Sequence, residues 1–151
     1  MKAKLFTATL TLTLAASAFA QDGKTLFEQR CTACHITHQP QSRQERMELK
    51  APPAAGVMWH MKQAFASKEK AVDFIVAYAK HPDAQKALCP SIRRFGVMPE
   101  GMAVGLSDEE LKAIAEYWYD NFPPATYKHP KGMGRGKGHG RGMMGGMGMN
   151  R

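Results

Sequence analysis

The chain has 151 residues, of which 44% are hydrophobic and 23% are charged, and its formal net charge is +8. Most of this charge lies at the ends, because Lys2 and Lys4 stand in the first 20 residues and residues 131–151 hold five basic and no acidic side chains. The body, residues 21–130, therefore has a net charge near +1, which argues against a nucleic-acid-binding protein. A body of this length is enough for one small domain.

The first 20 residues are typical of a signal peptide. A basic start, Met1–Lys4, precedes the uncharged apolar run Leu5–Ala16, and Ala18-Phe19-Ala20 is a cleavage motif. This run is shorter than the roughly 20 residues of a bilayer-spanning helix, and no other apolar run is long enough. We therefore expect residues 21–127 to form an exported, soluble domain without a membrane span.

The first predicted helix, 22–30 with Asp22 as N-cap, leads into Cys31-Thr32-Ala33-Cys34-His35. This C-x-x-C-H pattern is typical of covalent haem attachment, in which two thiols on one turn add to the haem vinyl groups and the histidine binds the iron. A zinc site or a thioredoxin-like pair is disfavoured, because Cys89 is the only other cysteine and no strand precedes Cys31. We predict one haem c with His35 as proximal ligand, and for an exported protein this indicates a bacterial periplasm.

The middle of the chain alternates between irregular and helical predictions. Residues 36–50 are polar without periodicity, and Ala51–Gly56 is predicted to be rigid and non-helical because it contains two consecutive prolines. Helices are predicted over 57–66 and over 68–80, the second with Ser67 as N-cap and apolar residues at helical spacing.

Residues 89–106 are rich in Gly and Pro and are predicted to form a loop of about 18 residues, a length that is usually functional. Ser107 and Glu110 then form a capping box for a helix that reaches Phe122 and ends at Pro123-Pro124. No stretch predicts a strand. The expected fold is all-α, with four to five helices around one haem.

The second axial ligand of the iron decides between electron transfer and ligand binding. Met98 is favoured because Pro99 restricts its backbone to extended geometry and because a thioether suits iron and raises the haem potential. Met102 in the same loop is the rival, and an open site is the remaining alternative. The wider set of sulfur and imidazole side chains comprises Met47, Met58, Met61, His38, His60, His81, His129 and Cys89.

Taken together, residues 22–122 resemble a class I monohaem cytochrome c of the bacterial periplasm. The resemblance depends on the haem motif and on three further stretches, Ala51–Gly56, Met98-Pro99 and Leu106–Leu111 with the helix that follows. The chain departs from the family pattern in the extra residues 101–105 and in Cys89.

This resemblance implies a packing arrangement and two roles around the haem. The N-terminal helix is expected to cross the C-terminal one, with Gly23 permitting a close approach. The carbonyl of Pro52 is expected to accept a hydrogen bond from the ring of His35. Trp59 is expected to donate its indole N–H to a haem propionate.

The expected function is electron transfer between larger redox-partner proteins, without enzymatic activity. Two alternatives are a haem-based ligand-binding or sensing protein with a labile sixth site, and an accessory subunit of a sulfur-oxidising or copper-handling system. Cys89 is interpreted as a small buried hydrophobe, with a thiolate haem ligand or an intermolecular disulfide as alternatives.

The final stretch, 128–151, is predicted to be a disordered tail, because its Gly-rich basic composition cannot bury enough surface to fold alone. Its basic charge would favour docking on an acidic redox partner. Alternatively, the thioethers of its five methionines, with His139, would bind Cu(I).

Overall fold

The computed structural model describes residues 22–130, which form six α-helices and no strand, so the all-α prediction is confirmed. The predicted signal peptide and residues 131–151 of the predicted tail lie outside the described residues. Within 22–130, none of the helices has both the length and the apolar character needed to cross a membrane. The helices are α1 (Gly23–Arg30), α2 (Arg43–Glu48), α3 (Ala54–Ala64), α4 (Lys68–Lys80), α5 (Ile92–Phe95) and α6 (Asp108–Asn121).

Helices α1 and α6 cross closely at Gly23. A Cβ atom on Gly23 would lie 2.1 Å from the carbonyl oxygen of Ala113, so only glycine fits there without moving a helix. Phe27 is 1% exposed, and its ring packs against Tyr117 and Trp118 at centroid separations of 5.5 and 5.2 Å. The expected crossing of the N-terminal and C-terminal helices is therefore confirmed.

Helix α6 forms as its sequence predicts. The Ser107 side chain accepts a hydrogen bond from the backbone of Glu110, and the Glu110 side chain accepts one from the backbone of Ser107. Its apolar stripe is buried, because α6 packs against both α1 and α4. The buried residues are Leu111, Ile114, Ala115 and Trp118.

Two short helices, α2 and α5, fall in stretches that were predicted to be irregular, so those predictions were wrong there. Helix α2 has no buried residue and starts at Ser42, whose side chain accepts a hydrogen bond from the backbone of Glu45. Helix α5 spans four residues and ends at Gly96, which has a φ of 73°. Neither helix is long enough to show an apolar periodicity.

Helix α3 begins three residues before its predicted start. The prediction that Ala51–Gly56 is non-helical was wrong for residues 54–56, because Pro53 occupies the N-cap position. A proline restricts the residue that precedes it and does not prevent a helix from starting after it.

The chain returns to α3 after α6. The backbone N–H of Tyr127 donates to the carbonyl of Pro124 at 2.8 Å, and the side chain of Gln39 donates to the carbonyl of Lys128 at 3.2 Å. His129 then stacks on Trp59 of α3 with a ring-centroid separation of 3.8 Å. The packed part of the chain therefore extends two residues past the predicted domain boundary at residue 127.

Candidate haem site

The predicted attachment and axial residues line one cavity of about 380 Å³. Cys31, Cys34 and His35 reach it from the turn after α1, while Met98 and Met102 reach it from the loop after α5. Side chains of α3, α4 and α6 form much of the remaining wall, and most of them are apolar. The folded chain thus brings together groups that are more than 60 residues apart in sequence.

The turn after α1 presents the two cysteines and His35 together. The backbone N–H of Cys31 continues the helix by donating to Phe27 at 2.9 Å. The backbone N–H groups of Cys34 and His35 then both donate to the carbonyl of Cys31, at 3.2 and 2.9 Å. Burial raises the pKa of the Cys31 thiol to about 11, as expected for a thiol in an apolar wall.

The imidazole of His35 is held by the backbone of Pro52. Nδ1 of His35 lies 2.8 Å from the carbonyl oxygen of Pro52, and because a carbonyl can only accept, Nδ1 carries the proton. This leaves Nε2 with the free lone pair that a metal requires. Burial lowers the pKa of His35, while the hydrogen bond to Pro52 acts in the opposite direction. The residue is therefore a neutral, oriented imidazole.

Trp118 positions the segment that holds His35. Its indole N–H donates to the carbonyl of Ala54 at 3.0 Å, and its ring centroid lies 5.1 Å from that of His35. The backbone N–H of Ala54 in turn donates to the carbonyl oxygen of Ile36, the residue after His35, at 2.9 Å. The sequence places Trp118 on the apolar face of α6, and the family resemblance places it or Tyr117 at the crossing with α1. Neither identified the bond to Ala54, since no local pattern indicates a partner 64 residues away.

The loop that carries Met98 and Met102 is anchored to the helices behind it. A guanidinium N–H of Arg30 donates to the carbonyl of Val104 at 2.7 Å. Burial raises the pKa of Tyr78, and a hydrogen bond with the backbone of Met98 opposes this shift. Met98 is half-buried whereas Met102 is 37% exposed, so Met98 is the better enclosed of the two thioethers.

Most of the other candidate ligands lie away from the cavity. Met47 is 70% exposed, Met58 is fully buried in the core, and His38 pairs with Glu45 at 2.6 Å. His60, His81 and His129 are also absent from the cavity wall, while Met61 and Cys89 line it.

Trp59 does not line the cavity either, since its indole is stacked on His129. Its contact with a propionate stays a prediction that this placement does not favour.

Comparison with known families agrees with this arrangement. The family model described as Cytochrome c matches residues 20–118, which is more than half of the chain. The chain belongs to the cytochrome c family. No curated protein and no solved structure matches it. Because proteins of this family bind haem c covalently and carry electrons, this cytochrome c is a haem-based electron-transfer protein with covalently attached haem c.

The residues around the cavity of this cytochrome c fit such a group. Neither Cys31 nor Cys34 forms a disulfide, both line the same apolar space, and the lone pair of His35 is available beside them. An apolar wall of helices suits the large flat surface of a porphyrin. The family assignment and the donor set therefore agree.

Cys89 also lines the cavity, where it is half-buried. Its Sγ accepts a hydrogen bond from the hydroxyl of Ser91 at 2.8 Å, and both residues line the cavity. Cys89 is the first residue of the predicted loop 89–106, and a thiolate haem ligand was one alternative for it. Cys89 thus lines the same cavity as the thioethers of Met61, Met98 and Met102.

Proposed function

We propose that the protein is a class I monohaem cytochrome c of a bacterial periplasm, which transfers single electrons between larger redox proteins. The iron is held by His35 and Met98, and the haem is attached through Cys31 and Cys34. The observation that carries this proposal is the single cavity that these four side chains line.

Each of these residues has a distinct task in electron transfer. The thioether bonds of Cys31 and Cys34 keep the group in place, and the hydrogen bond from His35 to Pro52 fixes the orientation of the imidazole. The thioether of Met98 would supply the second iron ligand, and a thioether ligand raises the reduction potential. Bound haem would supply a reversible one-electron couple. With His35 and Met98 both holding the iron, no coordination position would be left for a substrate, which favours a carrier over an enzyme or a sensor.

The location and processing of the protein are part of the same proposal. Cleavage after Ala20 would release a mature chain that begins at Gln21, in the compartment where haem is attached to exported c-type cytochromes. Expression of the full chain in a bacterium that matures such cytochromes, followed by separation of the periplasm, tests this. The haem-stained protein should be in the periplasmic fraction, and its mass should equal residues 21–151 plus one haem. A mass that retains residues 1–20 would contradict the processing step.

The axial assignment is tested by comparing Met98→Ala with Met102→Ala in the intact oxidised protein. Ligation of ferric iron by a methionine sulfur produces a weak far-red absorption band. We expect Met98→Ala to lose this band and to lower the reduction potential, whereas Met102→Ala keeps both properties. The opposite result would assign the iron to Met102.

Two further measurements address the remaining alternatives. Carbon monoxide binding to the reduced native protein would favour an open or labile sixth site, and therefore a sensing protein. A changed visible spectrum in Cys89→Ser would indicate a thiolate ligand. We expect neither result, because Met98 supplies the sixth ligand and Cys89 already accepts a hydrogen bond from Ser91.

A further inference from the structure

Two histidines meet on the surface of the domain, outside the haem cavity. His60 belongs to α3, and His129 belongs to the segment that returns to α3 after α6. Their Nε2 atoms are 3.4 Å apart, and their ring centroids are 5.1 Å apart with nearly perpendicular planes. Because the nitrogens are closer than the ring centres, the Nε2 edges of the two rings face each other.

This separation suits a shared metal ion better than a direct hydrogen bond. Hydrogen bonds from N–H groups usually span about 2.7–3.2 Å, and the separation here is 3.4 Å. With metal–nitrogen bonds of about 2.0–2.1 Å, two nitrogens 3.4 Å apart subtend an angle of about 108–116° at the metal. That angle fits tetrahedral or trigonal coordination, the geometries of zinc and of reduced copper, and is too wide for square-planar neighbours.

The pair is held in position by groups that do not depend on a metal. His129 is stacked on the indole of Trp59 at 3.8 Å, and its neighbour Lys128 accepts a hydrogen bond from Gln39. Two imidazoles are thus presented to one point with little left to order on binding.

We propose that His60 and His129 form a second metal site that binds one zinc or copper ion independently of the haem. Two coordination positions are filled by the imidazoles, and the others are open to water. Within residues 22–130, no further His, Cys, Asp or Glu side chain joins the two histidines in a group that could hold a metal ion.

The test uses the full-length protein with its haem in place and Zn²⁺ as the probe, measured by equilibrium dialysis and by isothermal titration calorimetry. We expect one Zn²⁺ per chain in addition to the haem iron. His60→Gln and His129→Gln should each weaken this binding by at least tenfold. His38→Gln and His81→Gln are matched controls, since both histidines are exposed and lie elsewhere in the domain, and they should leave the affinity unchanged.

Two measurements on the native protein do not depend on whether the variants fold. X-ray absorption at the zinc edge of the native protein should show two imidazole nitrogens at about 2.0–2.1 Å. The haem spectrum and the reduction potential should not change when Zn²⁺ binds, since neither histidine lines the haem cavity.

Several outcomes would overturn the site. One is an absence of saturable Zn²⁺ binding to the native protein. Another is binding that survives both the His60→Gln and the His129→Gln substitution. Loss of binding only in His139→Gln would assign the metal to residues 131–151 instead. A shift of the haem spectrum on metal addition would assign it to the haem cavity.

Discussion

The indole N–H of Trp118 donates to the carbonyl oxygen of Ala54 at 3.0 Å, which joins the C-terminal helix to the first residue of α3. Ala54 follows the proline pair whose first member, Pro52, accepts the hydrogen bond of His35. The two hydrogen bonds together therefore connect α6 to the imidazole of His35 through residues 52–54. Trp118 also packs beside His35 and is 7% exposed, so it stabilises this part of the wall by packing as well.

Replacing Trp118 with Phe should lower the free energy of unfolding by about 1–3 kcal/mol, because the hydrogen bond and part of the buried ring are lost. Denaturant unfolding of the haem-bound protein measures this. Trp59→Phe is the matched control, since Trp59 is half-buried and stacks on His129 away from the cavity. Trp59→Phe should lower the free energy of unfolding by less than about 1 kcal/mol. If the free energy of unfolding decreases equally in the two variants, the hydrogen bond from Trp118 to Ala54 does not add to the stability of the protein.

The crossing of α1 and α6 gives a second prediction, at Gly23. In Gly23→Ala the new Cβ would meet the carbonyl oxygen of Ala113 at 2.1 Å, so the helices must separate. Overpacking of this kind typically costs about 1–3 kcal/mol, and it overrides the usual gain from replacing glycine by alanine in a helix. Thermal unfolding of the haem-bound protein should show a clear decrease in the midpoint temperature.

Gly56→Ala provides the control for that variant. Gly56 lies inside α3, and the nearest atom to an added Cβ is the hydroxyl of Tyr127 at 3.4 Å, an ordinary contact. The same substitution should therefore be neutral or stabilising there, by up to about 1 kcal/mol. A Gly23→Ala protein as stable as Gly56→Ala would contradict the close approach of α1 to α6.

The haem motif and the two principal helices could be predicted because their determinants are local. The C-x-x-C-H residues are contiguous, and the capping box of α6 lies within four residues, Ser107 to Glu110. Helices α2 and α5 were not predicted, because their sequences carry too few local determinants. Ser42 and Glu45 form only an isolated cap without a buried face, and Ile92–Phe95 is a single turn.

The partners that shape the site could not be predicted from local patterns. The bond from Trp118 to Ala54 and the contact of His60 with His129 join residues that are 64 and 69 positions apart. Both contacts depend on where the chain turns back on itself, and the spacing of apolar residues does not indicate that position. The placement of Cys89 in the cavity wall likewise depends on how the loop folds over α4. The sequence therefore predicts His35 and Met98 as ligands from local patterns, while the contacts that hold these side chains needed the fold.

The serine caps of α6 and α2 allow a third prediction, on how a cap contributes to global stability. Ser107→Ala removes the cap of α6, which packs against α1 and α4, and should lower the free energy of unfolding by about 1 kcal/mol. Ser42→Ala removes the same type of cap from α2, which has no buried residue. That helix can fray without exposing the core, so the second variant should change global stability by less than about 0.5 kcal/mol. Chemical denaturation of both haem-bound variants compares them, and equal losses would mean that α2 unfolds together with the core.

The last prediction concerns the anchor of the methionine loop at Tyr78. The backbone of Met98 acts to lower the pKa of Tyr78 and both residues line the cavity, so we expect a hydrogen bond between them to be the anchor. Tyr78→Phe removes the hydroxyl while keeping the ring. A net hydrogen bond of about 1 kcal/mol corresponds to roughly a fivefold change in a local opening equilibrium. Hydrogen exchange at the Met98 amide should therefore accelerate by about that factor, while amides in the centre of α6 keep their rates.

Tyr119→Phe is the matched control for this loop, because Tyr119 lies on α6 with the ammonium of Lys62 over its ring, away from Met98. It should leave the exchange rate of the Met98 amide unchanged. Arg30→Met separates the two anchors, since it removes only the hydrogen bond to Val104 at the other end of the loop. If Arg30→Met accelerates exchange at Met98 and Tyr78→Phe does not, the loop is held from Arg30, and the contact of Tyr78 with Met98 contributes nothing to its stability.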